Sequence, residues 1–129
     1  MFNKVLIANR GAIAVRIIRT LKKMGVKSVA VYAEADADSL HVAHADESFS
    51  LGEGAASDTY LNQDKLFAIM RKAGVDAVHP GYGFLSENPT FVSACAQHGI
   101  AFIGPTIAQM QAFGLKHTAR DLARQNNVP

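Results

Sequence analysis

The residues best suited to chemistry lie in one stretch, His79-Pro80-Gly81-Tyr82-Gly83-Phe84-Leu85-Ser86-Glu87-Asn88. Two glycines flanking a tyrosine let a ligand approach the backbone closely, and an imidazole, a phenol and a carboxylate stand within reach. Asn88-Pro89 has the form of a cap followed by proline at the first helical position, so a helix N-terminus aims free N–H groups at the same region. An anion or a polar ring suits such a place. Each residue also has a plainer account: His79 as a hydrogen-bonded structural histidine, Tyr82 and Phe84 as core filling, Glu87 as a complement to the helix dipole. Taken whole, the loop favours function.

Lys116 follows Gly114 at the start of a helical stretch, where an ammonium either reaches a phosphate or stays solvated; His117 and Arg120 share that ambiguity. Asn9-Arg10-Gly11 lacks the three glycines of a dinucleotide fingerprint, which weakens a nicotinamide or flavin reading. A tight turn using Gly11 explains it, with Arg10 free to face a ligand. Asp36, Asp38 and Glu47 mimic three calcium-loop positions, but Leu40 stands where a ligand belongs and His41 where glycine is needed. His41 and His44 lack a third ligand at zinc spacing and read as surface residues. The sole cysteine, Cys95, lies on the apolar side of a helix and reads as a buried structural thiol. No metal site is expected.

Strands and helices must alternate to hold these groups. Val5–Ala8 is an apolar run suited to a strand buried on both faces, and residues 12–24 carry Ala14, Ile17, Ile18, Leu21 and Met24 at helical spacing. Further strands are expected at 29–32, 48–51, from Ala77 and at 100–103, with helices over 61–73, 89–98, 106–114 and 115–125. This alternation predicts an α/β, doubly wound parallel sheet, whose ligands bind beyond the carboxyl ends of the strands.

A chain of 129 residues with 49% hydrophobic and 19% charged residues predicts one soluble globular domain. A net charge of +2 with dispersed basic residues argues against nucleic acid or a membrane surface, leaving a small-molecule partner. With no signal peptide or membrane span legible, the expected location is cytoplasmic.

Ile7-Ala8-Asn9-Arg10-Gly11, followed by Ala14 and Arg16-Ile17, resembles the opening of biotin-dependent carboxylases. The stretch from His79 to Asn88 is similar to their N-terminal motif throughout, and Asp46-Glu47 and Phe102-Ile103-Gly104-Pro105 also fall where that family has them. Residues 114–120 resemble urea carboxylase more than acetyl-, propionyl- or pyruvate-type enzymes; Ala12 departs from the glutamate common in relatives.

The resemblance implies a Rossmann-like pre-ATP-grasp domain over residues 1–104, with 105–129 starting a truncated ATP-grasp domain. It implies that Lys116 contacts nucleotide phosphates, and that His79, Gly81, Tyr82, Gly83 and Glu87 border the pocket of biotin and bicarbonate. The whole enzyme is a ligase using ATP and magnesium to activate bicarbonate as carboxyphosphate and carboxylate biotin on a carrier domain. The carboxyl group then passes to urea or an acyl-CoA. The partners implied are the missing ATP-grasp and C-terminal parts and the carrier domain. A homodimer is compatible, through the helix bearing Arg16 and Arg19. The family's metal carboxylates, arginines and glycine-rich flap lie beyond Pro129, so the fragment alone is expected to be inactive, with no cofactor tightly bound. The alternative expectation is a stand-alone nucleotide- or small-molecule-binding regulatory domain without catalysis.

Overall fold

A computed structural model describes residues 2–104 and residue 110. Strands β1 (Lys4–Ile7), β2 (Lys27–Tyr32), β3 (Glu47–Ser50), β4 (Ala77–His79) and β5 (Ala101–Phe102) form one parallel sheet in the order β3-β2-β1-β4-β5. Helices α1 (Gly11–Lys23), α2 (Leu40–His44), α3 (Gln63–Ala73) and α4 (Pro89–Gln97) connect them. This is the doubly wound α/β architecture that the alternating pattern predicts. Several boundaries differ by one or two residues, as expected where elements fray.

The apolar run of β1 is continuous because both faces of the sheet are covered. Val5 and Ile7 pack with Ile17, Ile18 and Leu21 of α1, while Leu6 and Ala8 join Leu66 and Met70 of α3 and Phe91 and Cys95 of α4. Helix α1 turns Arg16, Arg19, Lys22 and Lys23 outward, matching its expected amphipathic division. Asn62 caps α3 by accepting from Lys65 N at 3.1 Å, and Gly74 stops it at φ 69°. Asn88 caps α4 through Phe91 N at 3.0 Å, with Pro89 in the first turn. Asp76 ties the chain entry to the centre: its carboxylate accepts from Asn3 N at 2.9 Å and Lys4 N at 3.1 Å. Burial opposes its charge, yet those donors hold its carboxyl below the usual range.

The acidic stretch after β2 is more ordered than its composition suggests. It makes a helical turn at Glu34–Asp36 and then α2, which returns against the sheet. His41, expected at the surface, is only 1% exposed. Its Nε2–H donates to the Val31 carbonyl at 3.0 Å, which makes burial of a polar ring tolerable beside β2. The helices expected over 106–114 and 115–125, and with them Lys116, lie outside the described residues. No helix among the described residues is long and apolar enough to cross a membrane.

Cys95 is fully buried, and burial pushes its thiol up to about 11. The expected result with a chromogenic disulfide reagent at neutral pH is no thiol release from the native chain and one equivalent after unfolding. Rapid native-state labelling would contradict the packing of α4.

Candidate functional site

In the strand order β3-β2-β1-β4-β5, β1 lies beside β4; α1 leaves β1 on one face and α4 leaves β4 on the other. Such a divergence opens a crevice beyond the carboxyl ends of the two strands. The loops that meet there are Asn9-Arg10 and the glycine-flanked tyrosine segment.

Asn9 joins them. Its side chain is buried, and its Nδ2 donates to the Pro80 carbonyl at 2.8 Å and the Tyr82 carbonyl at 2.6 Å, while its Oδ1 accepts from Arg10 N at 2.8 Å. Both amide protons and the carbonyl oxygen are thereby used, as a buried amide requires. A Cβ on Gly81 would lie 2.6 Å from Asn9 Nδ2, so glycine is needed there for close approach as well as for its φ of 67°. Asn9 was not among the site residues singled out from the sequence. Its signal was a polar amide placed directly at the end of an apolar strand, facing a topological switch point.

The sequence-assigned residues divide by role. His79 Nδ1 accepts from Gly81 N at 3.1 Å, which places the remaining ring proton on Nε2. Burial holds its imidazole below the ordinary value. Its ring thereby braces the loop from within. Tyr82 is 78% exposed and fills no core space. Gly83 continues the turn at φ 67°, and Phe84 follows at φ 44°, a left-handed conformation costing a residue with a Cβ about 1 kcal/mol. Phe84 packs against the core and stacks on Tyr60, so its plainer reading was correct in part. Glu87 is exposed just ahead of α4. Arg10 is committed to Asp36, with Nη1 2.9 Å from its Oδ2.

His79, Gly81 and Tyr82 also line an apolar groove of about 450 Å³, together with Ile13 and Ile17 of α1. The site therefore offers an exposed phenol, a backbone left open by two glycines, and a rigid polar seam beneath them. This arrangement can seat and orient a flat polar molecule; among the described residues no group of three or more His, Cys, Asp or Glu side chains could hold a metal.

A profile described as biotin carboxylase, N-terminal domain, matches residues 1–110. A biotin carboxylase of Halalkalibacterium halodurans is 53% identical over the whole chain, which spans 28% of that relative. The urea carboxylase of Kluyveromyces lactis superposes with a TM-score of 0.86 at 52% identity, over 99% of this chain and 11% of that one. A Campylobacter jejuni biotin carboxylase in a beta-gamma-ATP complex superposes with a TM-score of 0.87 at 45% identity, over all of this chain and 29% of that one. The chain thus spans less than a third of the length of each.

Two outcomes follow from the site geometry. Asn9→Ala leaves the Pro80 and Tyr82 carbonyls without their donor and should destabilise the chain by about 1–3 kcal/mol in urea unfolding, with Asn9→Asp costing more because a carboxylate faces two carbonyl oxygens. His79 adds a pH dependence. Well above pH 6.5, its ordinary value, the imidazole is neutral in folded and unfolded chains alike. As pH falls through it, the unfolded chain takes up the proton first, so stability declines until the folded ring also titrates. His79→Gln should remove that part of the acid decline; identical pH profiles of the two proteins would refute the assignment.

Proposed function

Because the chain belongs to the biotin carboxylase N-terminal domain family, we propose that it forms one wall of the active site of an ATP-dependent biotin carboxylase, of the urea carboxylase kind. In this reading residues 1–104 are the pre-ATP-grasp domain and 105–129 begin the ATP-grasp domain. The substrates are ATP, bicarbonate and biotin on a carrier domain, with magnesium as the metal and a cytoplasmic setting. The observation that carries the proposal is the Asn9-braced segment holding Tyr82 exposed between two positive-φ glycines at the switch point.

The residues present fit biotin on one side. The exposed phenol of Tyr82 and the open backbone at Gly83 suit a flat bicyclic urea, and the N-terminus of α4 adds a positive dipole end near the loop. Bound biotin supplies the ureido nitrogen that receives the carboxyl group. This chain's residues do the positioning: Asn9 holds the Pro80 and Tyr82 carbonyls, and the neutral His79 ring holds the Gly81 amide. Glu87 remains at the pocket border in this reading. Holding a nucleophile in a fixed orientation accounts for a large share of the acceleration in group transfer.

Phosphoryl transfer to bicarbonate requires cations and metal-holding carboxylates around the phosphates. Lys116 is the one nucleotide-contacting residue assigned to this chain. The remaining groups are assigned to the other domains of the whole enzyme.

In a full-length protein carrying this domain, Tyr82→Ala should raise the KM for biotin by about tenfold while leaving the KM for ATP near its starting value. An unchanged biotin KM would remove the loop from the pocket. The 129-residue chain alone should give no detectable bicarbonate-dependent ATP hydrolysis. Robust hydrolysis by the purified chain, abolished in Lys116→Ala, would overturn the division of labour.

A further inference from the structure

A second polar cluster lies behind the glycine-flanked tyrosine segment, built from loops that follow three different strands. Asp36 Oδ2 accepts from Arg10 Nη1 at 2.9 Å and from the Tyr60 hydroxyl at 2.7 Å. The same hydroxyl accepts from Ala33 N at 3.1 Å. Tyr60 is 1% exposed, so its phenol is fixed at its polar end by two hydrogen bonds and around its ring by the core. The Arg10 guanidinium carbon lies 5.7 Å from the Tyr60 ring centroid, a cation over an aromatic face. Phe84 stacks on the same ring, with centroids 5.3 Å apart and planes 17° from parallel.

Phe84 is the one described non-glycine residue with positive φ. A left-handed phenylalanine persists only where its surroundings over-determine it, and among those surroundings the Tyr60 ring stacks directly on its side chain. Gly83 and Tyr82 immediately precede it. The conformation of the exposed tyrosine is therefore bounded on one side by the Asn9 amide and on the other by Phe84.

The geometry points to Arg10, Asp36 and Tyr60 as positioning residues for the biotin-facing loop: they immobilise the Tyr60 ring, which holds Phe84 left-handed and thereby sets where Tyr82 and Gly83 stand. This rests on the reading of that loop as a border of the biotin pocket. Around neutrality Asp36 stays ionised and Tyr60 stays neutral. The Tyr60 hydrogen bond, against an opposing contribution from burial, and then Arg10 hold the Asp36 carboxyl below its usual range, while burial and the Asp36 carboxylate push Tyr60 up to about 12.

The test uses the full-length carboxylase carrying this domain, with Tyr60→Leu, Tyr60→Phe, Asp36→Asn and Phe84→Leu. Steady-state parameters for biotin and for ATP are measured together with amide hydrogen exchange of residues 81–84. Tyr60→Leu should raise the biotin KM about tenfold, leave the ATP KM within about twofold, and speed exchange selectively in residues 81–84. Tyr60→Phe retains the ring and loses the anchor, so it should fall between wild type and Tyr60→Leu. Combining Tyr60→Leu with Phe84→Leu should add little to either single change, since both act on one contact.

Unchanged exchange in residues 81–84 in both Tyr60→Phe and Asp36→Asn would overturn the proposal, even if Tyr60→Leu fails to fold. Equal losses in the ATP and biotin parameters would also overturn it, by reducing the cluster to general stability. Selective exchange in residues 81–84 with an unchanged biotin KM, in both Tyr60→Leu and Tyr82→Ala, would support the mechanical link while removing the loop's biotin role.

Discussion

The carboxamide of Asn9 is the interaction on which the site depends. Strand order alone brings the ends of β1 and β4 side by side; it does not dictate how the chain that follows β4 turns. The amide does so, because its two N–H groups each meet a carbonyl of that turn and its oxygen is taken by the neighbouring backbone. A buried amide with every hydrogen-bonding group used selects one arrangement over its competitors, since any rearrangement strands a polar atom away from water.

Around that seam the molecule separates rigidity from accessibility. Beneath lies β1, where Val5, Leu6 and Ile7 are wholly buried between α1 on one face and α3 and α4 on the other. Above it the segment alternates held and released positions: Pro80 and Tyr82 are gripped by their carbonyls and Leu85 by burial, while the Tyr82 ring and Gly83 stand in the open. The contact surface is thus exposed in its side chain and fixed in its backbone.

Much of this was legible before the structure. The continuous apolar character of Val5–Ala8 announced a doubly covered strand, and the Asn88-Pro89 pair marked where α4 begins. What escaped were pairings between residues remote in sequence. Asn9 and Tyr82, or Asp36 and Tyr60, meet only after the sheet has formed, and neither asparagine nor aspartate in a loop carries a periodic signal. His41 was misplaced for the same reason: its partner is the Val31 carbonyl on β2, a group every residue possesses and no spacing reveals. The residues around Lys116 lie outside those described, so its assignment to the nucleotide phosphates stands within the proposal.

The near-contact of Gly81 with Asn9 also constrains how such a sequence drifts. Any side chain at 81 intrudes on the carboxamide, and making room by shrinking residue 9 deletes the donors that shape the turn. Neither position can compensate for the other, because a side chain at 81 meets the carboxamide and a smaller residue at 9 leaves the Pro80 and Tyr82 carbonyls without their donor.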